Sequence, residues 1–377
     1  MNPYVFQTAQ RIVAGAHTFE RIVDHLQPFA GQSAFVVAQP SMRRQGFLKR
    51  LQSACESLGI SFRVSLEIQP EPTVDNIESV FRDMLEGPCD FVVGLGGGSV
   101  LDAAKLLSVL NTNPLGIRDM LGINKVTAPG LPTVLIPSTS GTGSEVTPNA
   151  IVTFPEEEVK IGVVSPYLLP KLVVLDPVLT LGLPPAITAA TGMDAFTHAL
   201  ESFISTKANP FSDMLALESI RRISGSIERA YRNGDDLEAR EAMLLGSMYG
   251  GMALTCAGTA AVHAMAYPIG GKFHVAHGVA NSMLLPHVME FNLDAIEVKL
   301  SQVAAAMGLE PTAEAALRQI REWTRALEIP QDLSTYGVRE EHLADLAVAA
   351  SRVTRLMENN PKSMTVSDIE SIYRKLL

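Results

Sequence analysis

The sequence predicts an α/β domain over residues 1–178, built on a parallel sheet, followed by an all-α domain over residues 179–377. Three observations carry this expectation. Short, β-rich apolar runs alternate with amphipathic stretches as far as Pro177. After Leu183-Pro184-Pro185 the strand signals stop and helical periodicity takes over. At 377 residues, the chain also exceeds the size at which one hydrophobic core stops growing.

The elements follow in order. Ala34-Phe35-Val36-Val37-Ala38 and Asp90-Phe91-Val92-Val93-Gly94 are apolar on both faces, as strands covered by helices on each side must be. Between them, Gln45 to Leu58 carries apolar residues at helical spacing and ends at Gly59, and Phe62-Arg63-Val64 forms a strand. Val74 to Leu85 is a helix with Asp75 in its first turn. Pro132 to Pro137 and Leu172 to Pro177 add further strands. Beyond them, Ala186 to Ser205, Pro210 to Arg222, Asp236 to Leu254, Leu293 to Met307, Ala313 to Leu327 and Glu340 to Thr354 read as helices. The run Glu156-Glu157-Glu158 reads as a solvated turn.

Composition narrows the function classes. Apolar residues make up 47% and charged residues 19%, which fits folded cores and excludes a disordered chain. A net charge of −10 argues against a nucleic-acid partner, which needs clustered Lys and Arg. Cys55, Cys89 and Cys256 form no CxxC pair, so they read as thiols in a reducing compartment. Met1-Asn2-Pro3-Tyr4 shows no signal pattern, and no apolar run reaches about 18 residues without a breaker. The expectation is a cytoplasmic protein with no membrane partner.

Three places carry chemistry. In Gly94-Leu95-Gly96-Gly97-Gly98-Ser99-Val100-Leu101-Asp102, an apolar strand gives way to a helix. Glycines let backbone approach a ligand, and the free N–H groups of a new helix attract phosphate. The run is not a GxGxxG fingerprint, and Ser99 as N-cap with Asp102 in the first turn would explain a plain turn. Three successive glycines exceed what a cap needs, which favours phosphate. The second place is Ser138-Thr139-Ser140-Gly141-Thr142-Gly143-Ser144 after another strand. Alone it fits a flexible loop equally well. Two such loops at successive strand ends of one open sheet fit a ligand crevice. The third is the histidines of the second half. Asp194 and His198 share a helix face, with Glu201 one turn on, and His263, His274, His277 and His287 follow. One carboxylate with two or three imidazoles suits Fe(II) or Zn(II). Spacing leaves open whether these residues bind metal or are satisfied core and surface groups, and which histidines take part.

Taken together, the residues resemble the iron-containing (group III) alcohol dehydrogenases. The resemblance runs end to end through Glu71-Pro72-Thr73, Gly96 to Lys105, Pro137 to Thr147, the Gly192 to Glu201 helix, and His277-Gly278-Val279-Ala280-Asn281. It implies a Rossmann-like N-terminal domain, a helical C-terminal domain and an active site in the cleft between them. It also implies a metal-dependent, NAD(P)-linked alcohol dehydrogenase or aldehyde reductase acting on a small alcohol or aldehyde, assembled as a homodimer or higher homo-oligomer. Carried onto this chain, the metal ligands, for Fe(II) or Zn(II), fall on Asp194, His198, His263 and His277. The nucleotide contacts fall on Gln39, Gly96, Gly97, Gly98, Ser99, Asp102, Thr139, Ser140, Thr142, Ser144 and Lys160.

The chain departs from the family pattern twice. Many members carry a histidine four residues after the third ligand, near the substrate, where this chain has Tyr267; His274 is the candidate replacement. NAD-preferring members place Asp after the second strand. Here Gln39 stands there, followed by Arg43 and Arg44, which removes the electrostatic bar to NADPH. These departures keep a maleylacetate-reductase-like enzyme as the nearest alternative. A dehydroquinate-synthase-like lyase fits less well, because its site resembles a Glu/His/His set. A non-catalytic nucleotide-binding protein fits an intact four-ligand set least.

Overall fold

Val36-Val37 and Val92-Val93 place β-branched side chains on both faces of their strands, and both faces are buried. The computed structural model describes residues 3–157 and 159–377. Met1 and Asn2 lie outside the described residues, as does Glu158 of the expected solvated turn. The chain opens with β1 (Ile12–Ala14) and α1 (Ile22–Leu26), followed by β2 (Ser33–Ala38), α2 (Pro40–Arg44) and α3 (Phe47–Ser57). Next come β3 (Ser61–Ser65), α4 (Val74–Leu85), β4 (Phe91–Gly96), α5 (Gly98–Thr112) and α6 (Ile117–Met120). The remaining strands are β5 (Gly122–Ile123), β6 (Thr133–Pro137), β7 (Asn149–Phe154), β8 (Val159–Val164) and β9 (Leu172–Leu175).

Among the described residues, the main sheet is parallel throughout, in the order β1-β9-β6-β4-β2-β3. Phe35 and Val37 of β2 face a layer that includes Ile77 and Val80 of α4 and Leu101 and Ala104 of α5. Ala34, Val36 and Ala38 face Leu26 of α1 and Leu48, Leu51 and Cys55 of α3. The period-two alternation of one strand thus builds two cores. The strand order reverses between β2 and β4, the kind of switch point at whose carboxyl ends open α/β sheets bind ligands.

Two details differ from the sequence expectation. Gly46, at φ 84, breaks the helix expected from Gln45, so α3 starts at Phe47. A second sheet, β5-β8-β7, adds an antiparallel β7–β8 pair whose Ala150, Val152 and Phe154 pack into the α4/α5 layer.

The second half is helical: α7 (Pro185–Ile204), α8 (Pro210–Ser224), α9 (Ile227–Arg232), α10 (Leu237–Ala257), α11 (Ala261–Phe273), α12 (His277–Ala306), α13 (Ala313–Ala326), α14 (Glu340–Ser351), α15 (Thr354–Met357) and α16 (Val366–Arg374). The helix expected from Leu293 is the second half of the 30-residue α12, which runs through Pro286; α11 likewise contains Pro268. Both prolines are buried, so packing outweighs the lost backbone bond that marks Pro as a breaker in sequence. From Gly192 to Ile204, α7 is buried on all sides, with α8, α10 and α12 packed around it.

By internal contacts the chain forms two units. One comprises Gln7–Thr139 and Ser144–Leu181; the other comprises the N-terminal residues through Phe6, Ser140–Gly143 and Gly182–Leu377. Among the described residues, no single helix is long and apolar enough to cross a membrane.

Candidate active site

In the α/β unit the glycine turn is held by side chains from neighbouring strands. Gly97 is the N-cap of α5 and has no side-chain cap. Its N–H donates to Gln39 Oε1 at 3.1 Å, and Ser138 Oγ donates to the same oxygen at 3.2 Å. The residues just past β2, β4 and β6 are therefore tied through one amide. A Cβ on Gly97 would stand 3.3 Å from Thr139 Cγ2, so Thr139 faces the glycine directly. Gly98 opens α5.

Ser99 is not the N-cap: its Oγ accepts the Glu71 N–H at 3.1 Å, and Glu71 Oε1 takes Lys160 Nζ at 2.5 Å. Glu71 holds a left-handed φ of 51°, an uncommon conformation for a non-glycine residue, and Lys160 is nearly buried. Asp102 is engaged internally. Its Oδ1 accepts from Ser144 Oγ and from Lys105 Nζ at 3.3 Å, and its Oδ2 accepts the Ile151 N–H at 3.0 Å. Lys105, fully buried, also donates to the Asn149 carbonyl at 2.6 Å. Burial lowers the Lys105 pKa and pushes the neighbouring Glu145 carboxyl up to about 7. Ser140 and Thr142 belong to the helical unit, where Ser140 Oγ is buried without a hydrogen-bond partner among the described residues.

In the helical unit four side chains from three helices converge. Asp194 and His198 share one face of α7, His263 lies in the first turn of α11, and His277 begins α12. Asp194 Oδ1 stands 3.9 Å from His198 Nε2 and 3.7 Å from both His263 Nε2 and His277 Nε2. One ligand atom from each residue lies within 4.8 Å of all the others. Asp194, His198 and His263 are buried, which excludes a helix-surface Asp194–His198 pair. Burial alone would raise the Asp194 carboxyl, but His198, His277 and His263 with the Asn281 amide hold it below its ordinary value. Burial lowers the His198 pKa, the direction that favours the neutral imidazole a metal needs. One carboxylate and three imidazoles with no thiolate are donors suited to a first-row divalent ion.

The other histidines are elsewhere. His274 is exposed at the end of α11, at φ 54, and His287 lies beside Glu290. Tyr267 is half-buried with its ring centroid 5.8 Å from that of His277. Two neighbours of the cluster carried no role in the sequence reading. Glu201 Oε2 lies 2.6 Å from His263 Nδ1, and Asn281 Nδ2 lies 2.8 Å from Asp194 Oδ1. The available signal for Asn281 was its spacing of four from His277 on one helix.

An open parallel sheet and a buried Asp/His3 set in one chain suit a dehydrogenase that uses a dinucleotide and a divalent metal. A sequence model of the iron-containing alcohol dehydrogenases matches residues 9–177, and one for the C-terminal part of the Fe-containing alcohol dehydrogenase family matches residues 188–377. Long-chain-alcohol dehydrogenase 1 of Geobacillus thermodenitrificans (strain NG80-2) is 37% identical, covering 98% of this chain and 95% of that protein. A solved 1,3-propanediol oxidoreductase superposes with TM-score 0.93 at 33% identity, covering all of both chains. Sulfoacetaldehyde reductase from Bifidobacterium kashiwanohense, solved in complex with NAD+, superposes with TM-score 0.90 at 28% identity, covering 100% of this chain and 98% of that one. The chain belongs to the iron-containing alcohol dehydrogenase family, and it is an oxidoreductase acting on CH–OH groups.

Proposed function

We propose that this chain is a metal-dependent, NAD(P)H-linked reductase of small aldehydes, running in reverse as an alcohol dehydrogenase. The observation that carries the reading is the convergence of Asp194, His198, His263 and His277 on one buried point. These four would hold the metal, Fe(II) by family and Zn(II) by the same donors. Bound together, metal and nicotinamide supply Lewis acidity at the substrate oxygen and a hydride.

The chain's own residues do the rest. Gly96, Gly97, Gly98 and Ser99 offer backbone at the start of α5 to the pyrophosphate. Thr139, Ser140, Thr142 and Ser144 supply hydroxyls, and Lys160 a cation. Asp102 holds Ser144 in place. In reduction the substrate oxygen takes up a proton, and Tyr267, beside His277, and exposed His274 are the two groups we assign to supplying it from solvent.

The Gln39 amide supports use of NADPH. It occupies the position of the carboxylate that would repel a 2′-phosphate, and Arg43 and Arg44 stand exposed in the last turn of α2. A charge-assisted pair with such a phosphate is worth roughly 1.5–3 kcal/mol, about 10- to 150-fold in affinity. The test measures kcat/KM for an aldehyde panel, acid-bearing members included, with both cofactors. Wild type should turn over with NADPH, and Gln39→Asp should shift the ratio toward NADH by at least about tenfold. Turnover with NADH alone, or an unmoved ratio, contradicts the reading. An optimum on acid-bearing substrates would favour the maleylacetate-reductase-like alternative.

Two features support a cytoplasmic homo-oligomer. Cys55, Cys89 and Cys256 are free thiols, as suits a reducing compartment. Phe6 stacks on Phe211, and with exposed Val5 and Met214 they offer an apolar surface for a second copy.

A further inference from the structure

Glu201 lies one to two turns beyond Asp194 and His198 on α7 and is fully buried. Among the described residues, neither Glu201 nor Asp194 is paired with a Lys or Arg. A buried carboxylate without a cationic partner is costly to desolvate. Its two oxygens are divided between one backbone and one side-chain partner. Oε1 accepts the Val262 N–H at 2.7 Å, and Oε2 lies 2.6 Å from His263 Nδ1. An ionised carboxylate only accepts, so His263 carries its proton on Nδ1. That leaves the Nε2 lone pair on the cluster side, 3.1 Å from Asn281 Nδ2 and 3.7 Å from Asp194 Oδ1. His198 has no such partner: its Nδ1 makes no hydrogen bond among the described residues.

We propose that Glu201 is a positioning residue for the metal centre. Through the 2.6 Å contact it fixes the ring orientation and Nδ1–H tautomer of His263, and it makes Nε2 a stronger donor to the metal. The inference rests on the metal reading of Asp194, His198, His263 and His277.

The test uses the full chain, stripped of metal and titrated with Zn(II) against a chromophoric chelator. Co(II) substitution provides a spectroscopic readout of the coordination. Glu201→Gln keeps shape and removes charge; it should weaken Zn(II) binding about 10- to 100-fold and change the Co(II) absorption band. In the metal-saturated enzyme, kcat should fall while KM for the aldehyde stays within about threefold. Glu201→Asp keeps the charge but draws it back by one methylene, so its affinity should lie between those of wild type and Glu201→Gln. Adding Glu201→Gln to His263→Ala should cost less than about twofold more, because the route through His263 is already gone. The proposal is overturned if Glu201→Gln binds Zn(II) within threefold of wild type with an unchanged Co(II) band, or, should only Glu201→Asp fold, if that variant binds Zn(II) as tightly as wild type with an unchanged Co(II) band. An undiminished Glu201→Gln effect in the His263→Ala background overturns it as well. Wild-type protein that takes up no metal in the same titration overturns the metal reading and this inference with it.

Discussion

Replacing His263 or His277 with Ala should lower kcat/KM for aldehyde reduction by at least about 10³-fold, and bound metal should fall with it. Lewis-acid polarisation of a carbonyl oxygen is worth several kcal/mol, and each 1.4 kcal/mol is about tenfold in rate. Each substitution also leaves Asp194, buried beside both rings, with one fewer partner. The two variants should differ in stability. His263 is buried and bonded to Glu201, so its loss leaves a buried carboxylate short of one partner; His277 is only partly buried. His287→Ala is the control, because His287 lies beside Glu290 and outside the cluster. Elemental analysis beside steady-state kinetics decides. Equal metal content in wild type and His263→Ala would remove His263 from the site.

Gly278→Ala should have the second-largest effect, although residue 278 touches no substrate. Gly278 follows His277 at the start of α12, and a Cβ there would fall on the carbonyl oxygen of Ala190 and lie 2.8 Å from its carbon. Ala190 is one turn before Asp194 on α7. In an exposed helix, Gly→Ala is worth up to about 1 kcal/mol of stabilisation. Here the obstacle is backbone, which cannot rotate away, and overpacking of this kind costs about 1–3 kcal/mol or more. Relief must come from moving α12 or α7, and each carries metal ligands. We expect a melting temperature lowered by roughly 1–4 °C and metal affinity reduced by about tenfold or more. Gly225→Ala is the matched control, since a Cβ there meets only the Arg221 and Arg222 carbonyl oxygens at 3.6 and 4.0 Å. Unchanged metal affinity in Gly278→Ala would show that the α7–α12 approach does not set ligand geometry.

What the sequence made legible follows physical lines. β2 and β4 could be read because strands buried on both faces are continuous apolar runs bounded by glycine or polar turns. Asp194 and His198 could be paired because a helix fixes which residues share a face. Spacing could not choose among His263, His274, His277 and His287, because their convergence depends on how α7, α11 and α12 pack. The resemblance made that choice, and the structure gathers His263 and His277 while leaving His274 in solvent and His287 elsewhere. Pro268 and Pro286 hid parts of α11 and α12, since their local cost is visible in sequence and the compensating packing is not. The hydrogen bond of Ser99 was hidden for a similar reason. Its partner, the Glu71 N–H, is distant in the chain, whereas an N-cap is a local pattern.

The most direct test of the central claim is a metal titration of the stripped wild-type chain, following NAD(P)H oxidation with a short aldehyde alongside metal uptake. The account predicts negligible activity before metal is added and recovery in step with uptake, complete at about one Fe(II) or Zn(II) per chain. Full activity in the stripped chain, or activity that does not follow uptake at Asp194, His198, His263 and His277, would contradict it.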